Sequence, residues 1–218
     1  MATFFYPKQT ELSKFKECLL LLNIMFINIK QYILTMKELN LFPKSTIKII
    51  EILINKEHSV RDLARETKLS PAKITLFVKE FLKLGILLVT PYKNTKIISI
   101  NKNNILAKQL ISTIILQKLL FSNAINELKE NSISIGLYGS AAEGTLDKQS
   151  DIDLWAITPT NLGILQGGEI KQKLTKELGR ETNIKYYTTK NVQELKEKDP
   201  IFFNELKYKS KIIWGNDF

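Results

Sequence analysis

The feature that most constrains this chain of 218 residues is a Gly139-Ser140 pair followed, after ten intervening residues, by two aspartates, Asp151 and Asp153. The segment 132–138 before the pair alternates polar and apolar residues, which predicts a strand that ends in a tight turn at Gly139. Because side chains along a strand alternate between its two faces, Asp151 and Asp153 would point to the same side. Two carboxylates so close repel each other unless a cation lies between them, and their hard oxygen atoms suit Mg²⁺ that carries substrate phosphates.

Two runs around these residues, Gly139 to Gly144 and Ser150 to Trp155, resemble the signature of the DNA polymerase β-like nucleotidyltransferase superfamily. The likeness is to its minimal nucleotidyltransferase branch. A glycine-serine turn alone is common, and an Asp-x-Asp pair alone is usually a solvated loop. Their combination, with a strand predicted on either side, favours the nucleotidyltransferase interpretation.

The resemblance implies a role for each of the four residues. Gly139 and Ser140 would bind the triphosphate of a nucleotide such as ATP, and Asp151 and Asp153 would be the catalytic residues that hold two Mg²⁺ ions. The implied reaction transfers a nucleoside monophosphate from a nucleoside triphosphate to an acceptor. A protein hydroxyl, an RNA end and a small molecule all remain open as acceptors.

The third carboxylate that this family normally carries on a later strand has no evident counterpart here. The strand predicted at 183–187 offers Asn183, a neutral weak ligand, and Lys185, a cation, and neither can bridge two metal ions. Glu181 lies just upstream and would reach the site only if the strand were offset. The alternative function is therefore a DNA-binding transcriptional regulator whose degenerate nucleotidyltransferase domain binds nucleotide without turning it over.

The excess of positive over negative charge is confined to the first part of the chain. The net charge is +10, and residues 1–131 contain 20 Lys and Arg against 10 Asp and Glu, whereas residues 132–218 contain 12 of each kind. A basic module gains affinity for a polyanion by releasing counterions from its phosphates, which favours a nucleic-acid partner; solvated surface lysines are the alternative. The single Cys18 cannot form an intrachain disulfide, which fits a cytoplasmic protein.

The middle of the chain predicts three helices and a hairpin. Ser59 and Ser70-Pro71 are typical of helix starts, and Gly85 is typical of a helix end. Two apolar segments around residues 91–95 then indicate paired strands with a basic tip. This order resembles a winged helix-turn-helix domain over about Leu39 to Ile100.

By that resemblance the third helix would enter the DNA major groove and the hairpin would touch phosphate as the wing. Few of the candidate side chains can make bidentate base contacts, so phosphate contacts are better supported than sequence readout. The alternative is a module for protein interaction or dimerisation. The predicted DNA-binding residues are Arg61, Arg65, Ser70, Lys73, Thr75, Lys79, Lys93 and Lys96.

The predicted fold class is α+β, with a winged helix-turn-helix domain at 36–102 and a small mixed-sheet nucleotidyltransferase domain at 132–218. A long apolar helix within 103–131 would join them and favours a homodimer. Residues 1–35 would form a helical arm, with a helix from about Glu11 to Thr35. Its apolar stretch from Cys18 to Ile29 is too short to span a bilayer, so no membrane is expected. In the last domain we expect helices on one side of the sheet and Trp214 in the core.

Overall fold

The structure, a computed structural model, describes residues 42–160 and 164–218, without the side chains of residues 164 and 165. The predicted arm at 1–35 lies outside the described residues. Residues 42–218 form one compact unit that contains both helices and sheets, as an α+β chain should.

The first part of this unit consists of three helices and three strands. The elements are α1 (Lys44–Asn55), β1 (His58–Ser59), α2 (Val60–Thr67), α3 (Pro71–Lys83), β2 (Leu87–Tyr92) and β3 (Thr95–Ile100). The strands form an antiparallel sheet of order β1-β3-β2. The turn between β2 and β3 contains only two residues, so these two strands are longer than the sequence predicts.

The predicted helix ends of this part are confirmed. The Ser59 hydroxyl accepts a hydrogen bond from the Asp62 backbone N–H at 3.2 Å, and the Ser70 hydroxyl accepts one from the Lys73 N–H at 3.3 Å. Gly85 follows α3 with a φ of +67°, a conformation that glycine adopts without a steric penalty. These are local interactions, and residue type alone predicts them.

The predicted long connecting helix is wrong, because the chain bends by 67° between α4 (Ile105–Leu120) and α5 (Asn123–Glu130). The Ser122 hydroxyl starts the second helix by accepting a hydrogen bond from the Ile125 N–H at 3.1 Å. Apolar residues continue across the bend, so periodicity does not reveal it. No single helix within the described ranges is long and apolar enough to cross a membrane; α4 and α5 meet that test only together, as a bent pair.

The second sheet has four strands in the order β6-β5-β4-β7, with β5 and β6 parallel and the other pairs antiparallel. The remaining elements are β4 (Ser134–Tyr138), α6 (Gly139–Glu143), β5 (Ile152–Thr158), α7 (Ile164–Leu178), β6 (Thr182–Thr188), α8 (Thr189–Lys198), α9 (Pro200–Lys209) and β7 (Lys211–Trp214).

Helical segments cover both faces of this sheet, and the prediction of helices on one side is wrong. One face, with Leu154 and Ala156, belongs to a large core shared with α4 and α7. The other face, with Trp155, is covered by Phe203 of α9 and by Phe218. β5 therefore carries apolar side chains on both of its faces, as a strand that is covered on both sides requires.

Trp214 does not lie in the core, contrary to the prediction. It ends β7, its side chain is about half exposed, and the Lys129 ammonium lies 5.7 Å from the centre of its ring. β7 is an edge strand of the sheet, so its last residue has no neighbouring strand to cover it.

We predict that Gly144→Ala destabilises the protein far more than Gly179→Ala. Both glycines have a left-handed φ, +72° and +67°, so both alanines would cost about 1–2 kcal/mol of conformational strain. Only at Gly144 would the new Cβ collide, at 1.8 Å from the backbone oxygen of Lys108 in α4; at Gly179 nothing lies within 4 Å. The difference, measured by urea unfolding, should be about 1–3 kcal/mol. Equal losses would contradict the described packing of α6 against α4.

Candidate functional site

The glycine bend after β4 meets the start of β5. Tyr138 pairs with Asp153 across these antiparallel strands, and Gly139 follows with a φ of +67°. A Cβ at Gly139 would lie 3.0 Å from Asp153 Oδ2, so the absence of a side chain is what allows the carboxylate to approach the turn. Ser140 stands next in the first turn of α6 and is partly exposed. The structure thus brings the predicted nucleotide-binding turn and a predicted catalytic aspartate together.

Asp151 is held next to this pair by the amide of Asn183, the residue that the sequence offers in place of the third carboxylate. Asn183 is the register partner of Asp153 on the parallel strand β6. Its Nδ2 donates to Asp151 Oδ2 at 3.1 Å, and its Oδ1 accepts from the Lys171 ammonium of α7 at 3.0 Å. Both aspartates therefore border one half-buried site, although the sequence offers no signal for the part played by Lys171.

Negative charge is crowded in this site. Burial raises the pKa of Asp153; the Asn183 amide opposes that rise, the Asp151 carboxylate adds to it, and the Lys185 ammonium opposes it. A cation bound beside the two carboxylates would stabilise the ionised form of Asp153 and lower its pKa.

The site fits one hard divalent cation. Asp151 and Asp153 offer carboxylate oxygens, the ligand type that Mg²⁺ prefers, and they are the residues that would hold it. Within the described ranges, no cluster of three or more Asp, Glu, His or Cys side chains could hold a metal ion. Glu181 does not complete the pair, because its carboxylate is 63% exposed and lies 3.6 Å from the Lys171 ammonium.

A clamp at Arg180 fixes the loop that leads into Asp151. The guanidinium donates to the backbone oxygens of Asp147 and Ser150, both at 2.6 Å, and to the Asn55 side chain of α1 at 2.7 Å. Within the loop, Asp147 accepts hydrogen bonds from the backbone and hydroxyl of Ser150, which lower the pKa of Asp147. Sequence reasoning missed Arg180, whose place directly after Gly179 at the end of a helix is the only local signal.

The predicted DNA-binding residues are all exposed, but the structure brings only some of them together. A cleft of about 730 Å³ between α2, α3 and the hairpin is lined in part by Arg61, Thr75, Lys93 and Lys96. Arg65 lies outside this lining.

Three of the predicted DNA-binding residues have partners close by in the chain. Arg65 forms an ion pair with Asp62, one turn earlier in α2. The hydroxyls of Ser70 and Thr75 are engaged with the backbone of their own helix, Ser70 as its cap and Thr75 as a donor to the Pro71 oxygen at 2.8 Å. Lys73 and Lys79 lie on the exposed side of α3, and their side chains have no such contact with any residue that the structure describes.

Comparison with protein families assigns a class to the second part of the chain. Residues 121–212 match the family model described as a nucleotidyltransferase domain, and this range contains the glycine turn, both aspartates and the whole of β4, β5 and β6. The chain therefore carries a nucleotidyltransferase domain, and the class of enzyme it indicates is a transferase. No curated protein matches the chain.

Solved structures of toxin-antitoxin proteins are among those that align. One, a toxin-antitoxin with AMP-PNP, has 23% identity and a TM-score of 0.34, and the alignment covers 44% of this chain and 73% of the other. A second, from Shewanella oneidensis, is a tri-AMPylated HEPN toxin in complex with MNT antitoxin, with 18% identity, a TM-score of 0.32, and coverage of 50% and 73%. A third, MntA-HepT, has 22% identity, a TM-score of 0.30, and coverage of 50% and 73%. TM-scores of this size do not by themselves establish a shared fold.

We predict that Asp153→Asn stabilises the metal-free protein, whereas Asp147→Asn destabilises it. The folded-state pKa of Asp153 is raised, so the ionised carboxylate opposes folding; that of Asp147 is lowered, so its ionised form favours folding. The gain from Asp153→Asn should be at most about 1 kcal/mol, because solvent screens part-exposed charges. It should decrease as the pH falls through the raised pKa of Asp153 and vanish only in stronger acid, where the carboxyl is neutral in both the folded and the unfolded chain.

Chemical unfolding at neutral and acid pH in the presence of EDTA measures both variants. Asp147→Asn serves as the matched control because it removes the same charge from a neighbouring loop. A loss of stability in Asp153→Asn at neutral pH would contradict the described crowding of carboxylates.

Proposed function

We propose that the protein transfers a nucleoside monophosphate from a nucleoside triphosphate to an acceptor hydroxyl, with Mg²⁺ held by Asp151 and Asp153. The observation that carries this proposal is the close approach of the Asp153 carboxylate to the glycine bend, where a Cβ at Gly139 would lie 3.0 Å from Asp153 Oδ2. Phosphates that approach the bare backbone at Gly139 would therefore come directly beside the two carboxylates. The match of residues 121–212 to a nucleotidyltransferase domain supports the same reaction.

The residues around the bend have distinct tasks in this proposal. The backbone at Gly139 and the hydroxyl of Ser140 bind and orient the triphosphate, and the aspartates position its α-phosphate for in-line attack. The acceptor oxygen forms a bond to the α-phosphorus as the bond to the bridging oxygen breaks, and pyrophosphate leaves. When bound, Mg²⁺ supplies positive charge that offsets the charge of the phosphates.

A second candidate is a regulator that binds nucleotide without transferring it. The observation that favours it is the composition of β6, where Asn183 and Lys185 stand on the face of the aspartates and no third carboxylate joins them within residues 42–160 and 164–218. Binding of nucleotide with no release of pyrophosphate would support this candidate over the first.

We also propose that residues 42–100 form a winged helix-turn-helix module that binds DNA. The order of three helices and a hairpin, with β1 paired to β3, supports this interpretation. The basic lining of the cleft between α3 and the hairpin, which includes Arg61, Lys93 and Lys96, supports contacts to phosphate. The basic excess in residues 1–131 agrees with it.

Two further expectations remain proposals, a homodimer and a cytoplasmic location. The apolar residues of α4 are largely buried inside the same chain, among them Leu110, Ile111, Ile114 and Ile115. A dimer would therefore have to use surfaces other than the buried side of this helix.

We predict that a double variant, Asp151→Ala and Asp153→Ala, loses pyrophosphate release from labelled nucleoside triphosphates in Mg²⁺. The loss should be about a thousandfold or more, because metal-bound charge contributes several kcal/mol to such reactions. Glu130→Ala, Glu197→Ala is the matched control, since it removes the same charge from two exposed helical positions that make no contact with the site. Release that persists in the double variant would contradict the proposed catalytic pair.

We predict that affinity for DNA falls steeply with salt and that a Lys93→Ala, Lys96→Ala variant has a shallower slope. Each phosphate contact adds about 0.9 to the slope of log K against log salt, so the double variant should lose about 2. Lys190→Ala, Lys198→Ala removes the same charge from exposed positions of α8 and should leave the slope unchanged. Binding that does not depend on salt would remove the nucleic-acid proposal.

A further inference from the structure

The strand next to the aspartates presents an amide and an ammonium group. Asn183 is the register partner of Asp153, and Lys185 follows two residues later, on the same face of β6. On the side of β6, the site is therefore bordered by one neutral side chain, Asn183, and one positively charged side chain, Lys185.

The oxygen of Asn183 is not available to a metal ion. A lysine ammonium can only donate hydrogen bonds, so the amide atom that faces Lys171 at 3.0 Å must be the oxygen. The amide N–H group is then turned toward Asp151 Oδ2 at 3.1 Å, and it occupies one oxygen of that carboxylate. Asn183 thus presents its donor side to the aspartates and adds no ligand for a second divalent cation.

Lys185 brings a positive charge to the same face. The residue is exposed, but its ammonium lies 4.2 Å from the centre of the Phe202 ring and 5.9 Å from that of Tyr138, and such ring contacts favour this position modestly. None of the ion pairs within residues 42–160 and 164–218 includes Lys185. The charge is close enough to act on Asp153, yet no carboxylate neutralises it at contact distance.

We propose that the Lys185 ammonium binds the triphosphate directly, as a positive charge in a site that takes one divalent cation. This inference rests on the proposed function. A second divalent cation would be repelled by the ammonium and would find only two carboxylates to share with the first. The polyphosphate of the substrate needs positive charge on more than one side, and Lys185 supplies it without a second metal ion.

Binding of ATP and of inorganic tripolyphosphate, measured by calorimetry, tests the role of Lys185. With Mg²⁺, Lys185→Gln should bind both probes about tenfold more weakly than wild type, the effect of losing a charge-assisted hydrogen bond. In EDTA the wild type should keep weak binding of tripolyphosphate that the variant loses. Lys207→Gln is the matched control, because Lys207 also lies over aromatic rings, at 6.0 Å from Phe203 and 5.6 Å from Tyr208.

The number of metal ions is a second and independent measurement. Titration with Mn²⁺, followed by electron paramagnetic resonance in the presence of a non-hydrolysable ATP analogue, should give one ion per chain in the wild type and two in Lys185→Asp. Two ions in the wild type, or unchanged affinities in Lys185→Gln, would overturn the role of Lys185 and leave the proposed transfer standing. A wild type that binds neither probe in Mg²⁺ would overturn both.

Discussion

The register between β4 and β5 is the constraint on which the candidate site depends. Gly136 faces Trp155 across this pair, and a Cβ at Gly136 would lie 2.3 Å from the indole ring. Trp155 is fully buried, and its Nε1 donates to Ser210 Oγ at 2.8 Å. Because the ring needs the space that only a glycine leaves, the strands pair in the one register that puts Tyr138 beside Asp153. A slip by one residue would turn the aspartates to the opposite face of the sheet.

Interactions between near neighbours in the chain could be predicted from the sequence. The serine caps at Ser59 and Ser70 and the glycine end of α3 at Gly85 depend on one residue type and on the backbone within one turn. The approach of Gly139 to Asp153 is indicated by the family resemblance, because local patterns show the strand, the bend and the two carboxylates but not the register that joins them. The strands β4 and β6 lie within two residues of the segments 132–138 and 183–187 that the sequence predicts.

Features that depend on distant parts of the chain could not be predicted. The bend at Ser122 interrupts an apolar pattern that is continuous, because both helices bury apolar residues against the same core. The two faces of the second sheet cannot be told apart from composition, since the cover of the Trp155 face comes from residues some 50 positions later. In the site, the hydrogen bond from Lys171 determines which way the Asn183 amide is turned. This contact joins a helix to an edge strand, so it could not be read from the sequence.

Lys118 shows how closely the two parts of residues 42–218 are joined. From the middle of the unit its ammonium donates to Glu51 Oε1 of α1 at 2.5 Å and to the Leu178 oxygen of α7 at 2.9 Å. Around it, a single apolar cluster runs from Ile49 to Ile213. A fragment cut between β3 and α4 would expose apolar surface on both pieces, and neither would have a complete interior. For protein engineering, the parts of the chain before and after this cut should therefore be kept together.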